Sequence, residues 1–170
     1  MERNERNMKR IVVYQSGTGF TAKYAQWIAE KLGCEAKEYK SVNTKELQAY
    51  DQVIYGGWIM AGTVVGYDKI KALNLADVVV FGVGMTVSND EITGKIAEQN
   101  QIPGERFFYY EGGYNPAKLG FLKKMLMGMI KKQLEKKENK TADDLHMLKS
   151  FEGADNTDRE AIKGLVEFCG

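Results

Sequence analysis

The chain lacks several features that would assign it to a common class. It has two cysteines, Cys34 and Cys169, which share no motif, so neither a disulfide framework nor a cysteine-rich metal site is indicated. Its one histidine, His146, lies in a polar stretch and is predicted to be a surface residue. No run approaches the ~18 consecutive apolar residues of a membrane-spanning helix. The polar first ten residues do not resemble a secretory signal, and we expect a cytoplasmic protein.

The composition is that of a globular protein with one core. Of 170 residues, 44% are hydrophobic and 28% are charged, which predicts a single domain over residues 8–170 after a disordered leader at 1–7. The net charge is only +1, but residues 118–137 contain seven lysines and one glutamate. No aromatic-bearing nucleic-acid module accompanies this basic stretch, so no nucleic-acid partner is predicted.

Short β-branched or aromatic runs alternate with helical patterns. The runs predict strands at 10–15, 34–39, 51–57, 76–84 and 106–113, and the helical patterns predict helices at about 22–32, 90–99, 117–137 and 157–168. Such alternation is typical of an α/β fold, a doubly wound five-stranded parallel sheet of order 2-1-3-4-5 with helices on both faces. The connection after strand 5 far exceeds the usual ~2–6 residues, which predicts a functional helical insertion at about 114–156.

The turn between the first strand and the first helix carries three hydroxyls within six residues. Its sequence is Ser16-Gly17-Thr18-Gly19-Phe20-Thr21, and the backbone N–H groups of a helix N-terminus favour a bound anion. No Gly-Lys-Ser/Thr follows, so the loop is not that of nucleotide triphosphatases. A dinucleotide loop with Ala22 in the third glycine position and an ordinary tight turn remain as alternatives to a phosphate-binding loop.

This Ser/Thr-x-Thr-Gly-x-Thr pattern after a first strand resembles the FMN phosphate loop of flavodoxins. The resemblance implies an FMN cofactor whose phosphate contacts the loop, with Phe20 contributing its N–H. It also implies that the flavin ring lies against the segments that follow later strands. These segments are Gly56, Gly57, Trp58 and Ile59, then Met85 and Thr86, and finally Gly112, Gly113 and Tyr114.

The ring-contacting segments leave two alternatives open. Trp58 either stacks on the flavin or packs in the core, and Tyr114 forms either a third wall or a surface turn. Gly56 and Gly57 are predicted to end the third strand, where glycine gives a peptide group freedom to turn toward the ring. Carrier flavodoxins usually place a stacking tyrosine after the fourth strand, and this sequence has Met85 and Thr86 there.

The insertion is rich in lysine and methionine. At helical spacing, Leu119, Leu122, Met125, Leu126, Met129, Ile130 and Leu134 share about half of the helix surface, opposite Lys123, Lys124 and Lys131. This pattern is typical of a surface helix packed on the sheet, of an interfacial helix on anionic lipid, or of an adaptable apolar surface for a flat partner.

The layout of the insertion resembles the menaquinone-dependent protoporphyrinogen oxidase branch of flavodoxin-like proteins. The resemblance implies an FMN-dependent oxidoreductase that acts on a quinone or a porphyrin-type substrate, with peripheral contact at the inner face of the membrane through 118–137. The alternative is a soluble electron carrier that exchanges electrons with a protein redox partner and has no substrate of its own.

Overall fold

The computed structural model describes residues 7–170 and is built on a parallel β-sheet. The predicted leader at 1–7 lies, except for Asn7, outside the described residues. The strands are β1 (Arg10–Gln15), β2 (Glu35–Glu38), β3 (Gln52–Met60), β4 (Thr63–Val64), β5 (Val78–Gly84), β6 (Phe107–Glu111), β7 (Gly113–Tyr114) and β8 (Ala154–Asp155). The helices are α1 (Phe20–Leu32), α2 (Tyr67–Lys71), α3 (Asp90–Gln99), α4 (Phe121–Lys136), α5 (Ala142–Ser150) and α6 (Lys163–Cys169).

The five main strands run parallel in the order β2-β1-β3-β5-β6. Because β4 is only a short antiparallel partner of β3, this order is the predicted 2-1-3-4-5, and the fold prediction is confirmed. Apolar side chains alternate between the two faces, so that Val12 packs on one side while Ile11 and Val13 pack on the other. Helices α1 and α6 cover the first side, and α2 and α3 cover the second.

The third strand is longer than predicted, and its glycines lie inside the sheet. β3 continues to Met60 and turns back into β4 through Ala61 and Gly62, whose φ angles of 48° and 77° give the type I′ turn that suits a two-residue hairpin. Gly56 and Gly57 are both buried in the parallel sheet. Gly56 is required by packing, because the Phe81 ring of β5 fills the space where a side chain at residue 56 would lie.

The insertion is more ordered than its polar sequence suggested. Its long helix begins at Phe121 rather than near 117, because Pro116–Lys118 forms a separate 3₁₀ turn. The stretch predicted to be merely polar contains α5, whose first turn has a capping box between Thr141 and Asp144. The Lys137 ammonium and the Thr141 N–H lower the pKa of Asp144 to about 2, so this carboxylate remains charged at neutral pH.

The two ends of the insertion are joined at the sheet. β7 and β8 form an antiparallel pair, and the N–H of Asn156 donates to the carbonyl of Gly112 at 2.9 Å. Tyr24 of α1 reinforces this junction by donating to the carbonyl of Glu111 at 2.6 Å while its hydroxyl accepts from the N–H of Asp158 at 3.0 Å. Burial raises the pKa of Tyr24 to about 12, so the hydroxyl keeps its proton.

No helix within 7–170 combines the length and the apolar character that a membrane crossing requires.

Replacement of Gly56 by alanine tests the packing inside the sheet. A Cβ at residue 56 would lie 2.0 Å from Cζ of Phe81, so we expect Gly56→Ala to lower the free energy of unfolding by about 1–3 kcal/mol. The matched control is Gly94→Ala in the middle of α3, where a Cβ meets nothing within 4 Å and should stabilise the helix by about 0.5–1 kcal/mol. Urea unfolding measures both variants, and equal midpoints would contradict the packing of Phe81 on Gly56.

Candidate functional site

The turn between β1 and α1 exposes backbone donors at the start of a helix. Gly19 caps α1 in the left-handed region at φ 101°, a conformation that favours glycine. No side chain caps α1, and the first N–H groups of a helix have no partner within the helix itself. The turn therefore has the backbone geometry of an anion-binding site.

The loop hydroxyls are placed around these donors. Ser16 Oγ accepts a hydrogen bond from the N–H of Gly19 at 3.0 Å, which fixes the turn and leaves the Ser16 hydroxyl proton able to donate elsewhere. Thr18 is half-buried and Thr21 is buried in the first turn of α1. Both residues line a cleft that opens beside the loop.

This cleft lies at the carboxyl ends of the central strands, where ligands bind in doubly wound sheets. Five structural segments line it. They are the loop (Ser16, Gly17, Thr18, Phe20 and Thr21), the end of β3 (Trp58 and Ile59), the end of β5 (Val83, Gly84 and Met85), the segment after β6 (Gly112, Gly113 and Tyr114) and the insertion (Leu119, Lys123 and Met127). The lining combines polar groups at the loop with flat or apolar walls beside them, which suits a phosphate joined to an aromatic ring system.

Trp58 and Tyr114 both lie in the walls of the cleft, Trp58 rather than in the core and Tyr114 rather than in a surface turn. Trp58 is half-buried and lies in the cleft, with Lys123 Nζ 4.7 Å from the centroid of its ring. Tyr114 is also half-buried in the cleft wall and packs edge-on against Phe151, with ring centroids 5.2 Å apart. Met85 lines the cleft at the place where carrier flavodoxins usually have a tyrosine.

Four of the sequence-predicted site residues do not line the cleft. Gly19 shapes the loop, and Gly56 and Gly57 are buried within β3, so the expectation that these two glycines end the strand and turn a peptide toward a ring is wrong. The physical reason is that β3 pairs with β1 and β5 through both glycines. Thr86 lies beyond the cleft wall, where its carbonyl accepts from the Tyr109 hydroxyl at 2.7 Å.

The sequence predicts a functional insertion but does not show which of its residues line the cleft. Leu119, Lys123 and Met127 reach the cleft. Lys123 and Met127 lie four residues apart on one face of α4, and Leu119 lies in the extended segment just before that helix. The four-residue spacing is the available signal, but a lysine stands between the two apolar residues, so the three positions do not form an apolar face. Val83 and Gly84 also line the cleft, although the sequence predicts them only as residues of a buried strand.

The orientation of α4 differs from the predicted amphipathic arrangement. No residue of α4 is fully buried, and a set of large apolar side chains faces outward. We call this set the outer stripe; it consists of Phe121 (79% exposed), Leu122 (74%), Met125, Leu126 and Met129. The first of the three alternatives, a surface helix packed on the sheet with its lysines solvated, therefore does not describe α4.

His146 is not the surface residue that the sequence suggested. Its side chain is half-buried because α5 brings it against the end of β6, where its Nε2 contacts the carboxylate of Glu111. Among the residues that line the cleft there is no aspartate or glutamate, and Lys123 is the charged residue of the lining. The electrostatic character of the described cleft is therefore positive.

Comparison with known proteins identifies the class. The family model of the flavodoxin domain matches residues 11–141. The chain therefore belongs to the flavodoxin domain family, and FMN is the cofactor that this membership assigns to it. The apolar walls and the hydroxyl-bearing loop fit that cofactor. No curated protein sequence matches the chain.

Several solved flavodoxin structures are similar at low sequence identity. Oxidised flavodoxin 2 from Bacillus cereus is 22% identical, covering 61% of this chain and 84% of that one, with a TM-score of 0.43. A flavodoxin from the domain Archaea is 16% identical, covering 85% and 97%, with a TM-score of 0.43. Two-electron reduced Megasphaera elsdenii flavodoxin is 13% identical, covering 85% and 99%, also with a TM-score of 0.43.

The two loop glycines provide a test of the turn. Gly19→Ala forces a side chain into the left-handed region, so we expect the free energy of unfolding to fall by about 1–2 kcal/mol. Gly17→Ala is the matched control, because a Cβ there meets only ordinary contacts at 3.8 and 3.9 Å, and its effect should stay within about 0.5 kcal/mol. Both are measured by urea unfolding without added FMN. A Gly17 variant as unstable as the Gly19 variant would contradict this loop geometry.

Proposed function

We propose that this protein is an FMN-dependent oxidoreductase that acts on a quinone or a porphyrin-type substrate, in the manner of a protoporphyrinogen oxidase. The loop holds the FMN phosphate through backbone N–H groups and hydroxyls, and the flavin ring lies among the apolar walls of the cleft. Bound there, FMN supplies the electron-transfer chemistry, while the protein supplies binding, orientation and electrostatics. The phosphate ligands proposed are Ser16, Gly17, Thr18, Gly19, Phe20 and Thr21.

The observation that carries this proposal is that the insertion forms one wall of the cofactor cleft. Leu119 and Met127 place flexible apolar side chains beside Trp58, Met85 and Tyr114. Methionine adapts its shape to flat, apolar partners, so this wall suits a large planar substrate that must approach the flavin. An electron carrier that only docks on other proteins has no need of a 16-residue helix beside its cofactor.

The charges around the cleft also favour a flavin that accepts electrons readily. Lys123 belongs to the lining, and no carboxylate does so among the described residues. A nearby cation and the lack of nearby anions stabilise the negative charge that a flavin gains on full reduction. This environment differs from the acidic surroundings expected for a low-potential carrier.

The outer stripe supports a peripheral membrane contact. Phe121 and Leu122 are more than two-thirds exposed, and the lysines Lys124, Lys132 and Lys136 are exposed on the same helix. A helix with an exposed apolar face and flanking lysines binds at the surface of an anionic bilayer. Such binding would bring the cleft close to lipid-dissolved quinone at the inner face of the membrane.

Steady-state turnover separates the proposed enzyme from an electron carrier. We expect the FMN-loaded protein to oxidise protoporphyrinogen with menaquinone under anaerobic conditions. Leu119→Ala and Met127→Ala together should lower kcat/KM about 10-fold, because they remove apolar contacts worth ~1–3 kcal/mol from the substrate side of the cleft. The rate of electron exchange with a protein reductase should remain unchanged in this variant.

The matched control for turnover is Leu145→Ala, which removes an exposed leucine from α5 of the same insertion. It should leave kcat/KM at the wild-type value. Absence of any turnover in the FMN-loaded wild-type protein, together with rapid electron exchange with a protein partner, would contradict the proposed enzyme and favour the carrier.

Vesicle binding tests the outer stripe. We expect sedimentation with vesicles of phosphatidylcholine containing phosphatidylglycerol, weaker binding to phosphatidylcholine alone, and loss of binding at high salt. Phe121→Ser with Met129→Ser should reduce binding at least about 10-fold, because two apolar side chains no longer enter the bilayer surface. The control replaces Met8 and Leu145, two exposed apolar residues outside α4, with serine. Equal losses in the two double variants would contradict a specific role of the stripe.

A further inference from the structure

Two lysines of the insertion lie against the glycines of the phosphate loop. Lys118 Nζ is 3.7 Å from the position that a Cβ would occupy at Gly19, and Lys123 Nζ is 3.8 Å from the corresponding position at Gly17. Both distances are those of ordinary contact with the loop surface. The two ammonium groups therefore approach the loop from the insertion.

These ammonium groups have no anionic partner among residues 7–170. Neither Nζ lies within 4.0 Å of a described carboxylate oxygen, whereas Lys131 pairs with Glu135 at 3.9 Å and Lys137 pairs with Asp144 at 2.6 Å. Two like charges brought to one loop repel each other unless an anion lies between them. The positive end of the α1 dipole adds to this repulsion.

We propose that Lys118 and Lys123 form a cationic clasp on the FMN phosphate, so that the insertion closes over the phosphate loop as well as lining the ring cleft. The proposal rests on the proposed position of the phosphate in that loop. A phosphate there would accept hydrogen bonds from the loop on one side and from two ammonium groups on the other. Charge-assisted hydrogen bonds of this kind are shorter and stronger than neutral ones.

The clasp assigns a specific role to the insertion. Because both ammonium groups lie at the phosphate loop, they should favour FMN over riboflavin, which has the same ring without the phosphate. They also tie the cofactor to the segment that carries Leu119 and Met127, the two apolar residues of the insertion in the cleft. Cofactor binding and the position of the substrate wall then depend on the same contacts.

Dissociation constants for FMN and riboflavin test the clasp, measured by quenching of flavin fluorescence in the full-length apoprotein. We expect Lys118→Gln and Lys123→Gln each to weaken FMN about 10-fold, with riboflavin affinity unchanged. Lys118→Arg with Lys123→Arg should retain most of the preference for FMN, because the charge remains. The FMN dissociation constant of the wild type should rise more steeply with salt than that of the double glutamine variant.

The matched control is Lys45→Gln with Lys149→Gln, which removes the same charge from exposed lysines outside the cleft and should leave both affinities unchanged. If the glutamine variants at Lys118 and Lys123 still bind FMN more tightly than riboflavin by the wild-type factor, the clasp is overturned, and the proposed phosphate position is not. Equal weakening of FMN and riboflavin would also overturn it, since the lysines would then act on the ring or on the fold. A wild-type protein that does not prefer FMN would overturn the phosphate position in the proposed function, and the clasp with it.

Discussion

The parallel direction of the central strands is the constraint on which the site depends. Because β1, β3, β5 and β6 all run the same way, their carboxyl ends meet at one edge and bring loops from distant parts of the sequence together. Close packing inside the sheet fixes that edge, since Phe81 lies on Gly56 where a side chain would not fit. The loop capped by Gly19 then presents its donors toward a cleft whose walls the neighbouring strands supply.

The insertion adds a further wall and a charged side chain to the cleft at this edge of the sheet. A surface helix normally gains stability by turning its apolar face inward, where each large side chain contributes ~1.5–3 kcal/mol on burial. α4 leaves Phe121, Leu122 and Met125 exposed and directs Lys123 into the cleft. Burial within the chain therefore does not account for this orientation, and the proposed cofactor clasp and membrane contact rest on that observation.

The sequence predicted the elements with strong periodicity and failed where a pattern had two interpretations. The helix Asp90–Gln99 is predicted with both ends correct, because Asn89 is a favourable N-cap and Ile92 and Ile96 recur at helical spacing. Gly56 and Gly57 are predicted to end a strand, because a pair of glycines is typical of a turn. The same pair is also typical of close packing between elements, which is what the structure shows. The sequence does not predict helix α5, although Thr141 and Asp144 form a capping box. The residues around it are mostly polar, so no apolar face indicates a helix there.

The two faces of α4 explain why the site could be predicted only in part. Lys123 and Met127 form one row of α4 at four-residue spacing, with Leu119 just before the helix. Phe121, Met125 and Met129 form another row offset by two residues, or roughly 200° around the helix. Either row could have faced the protein on periodicity alone. The choice is made by the junction of β7 with β8 and by the packing of Tyr114 on Phe151, contacts between residues distant in sequence. Once that junction orients the helix, a lysine at position 123 must meet the loop, and the apolar row must meet solvent or a partner.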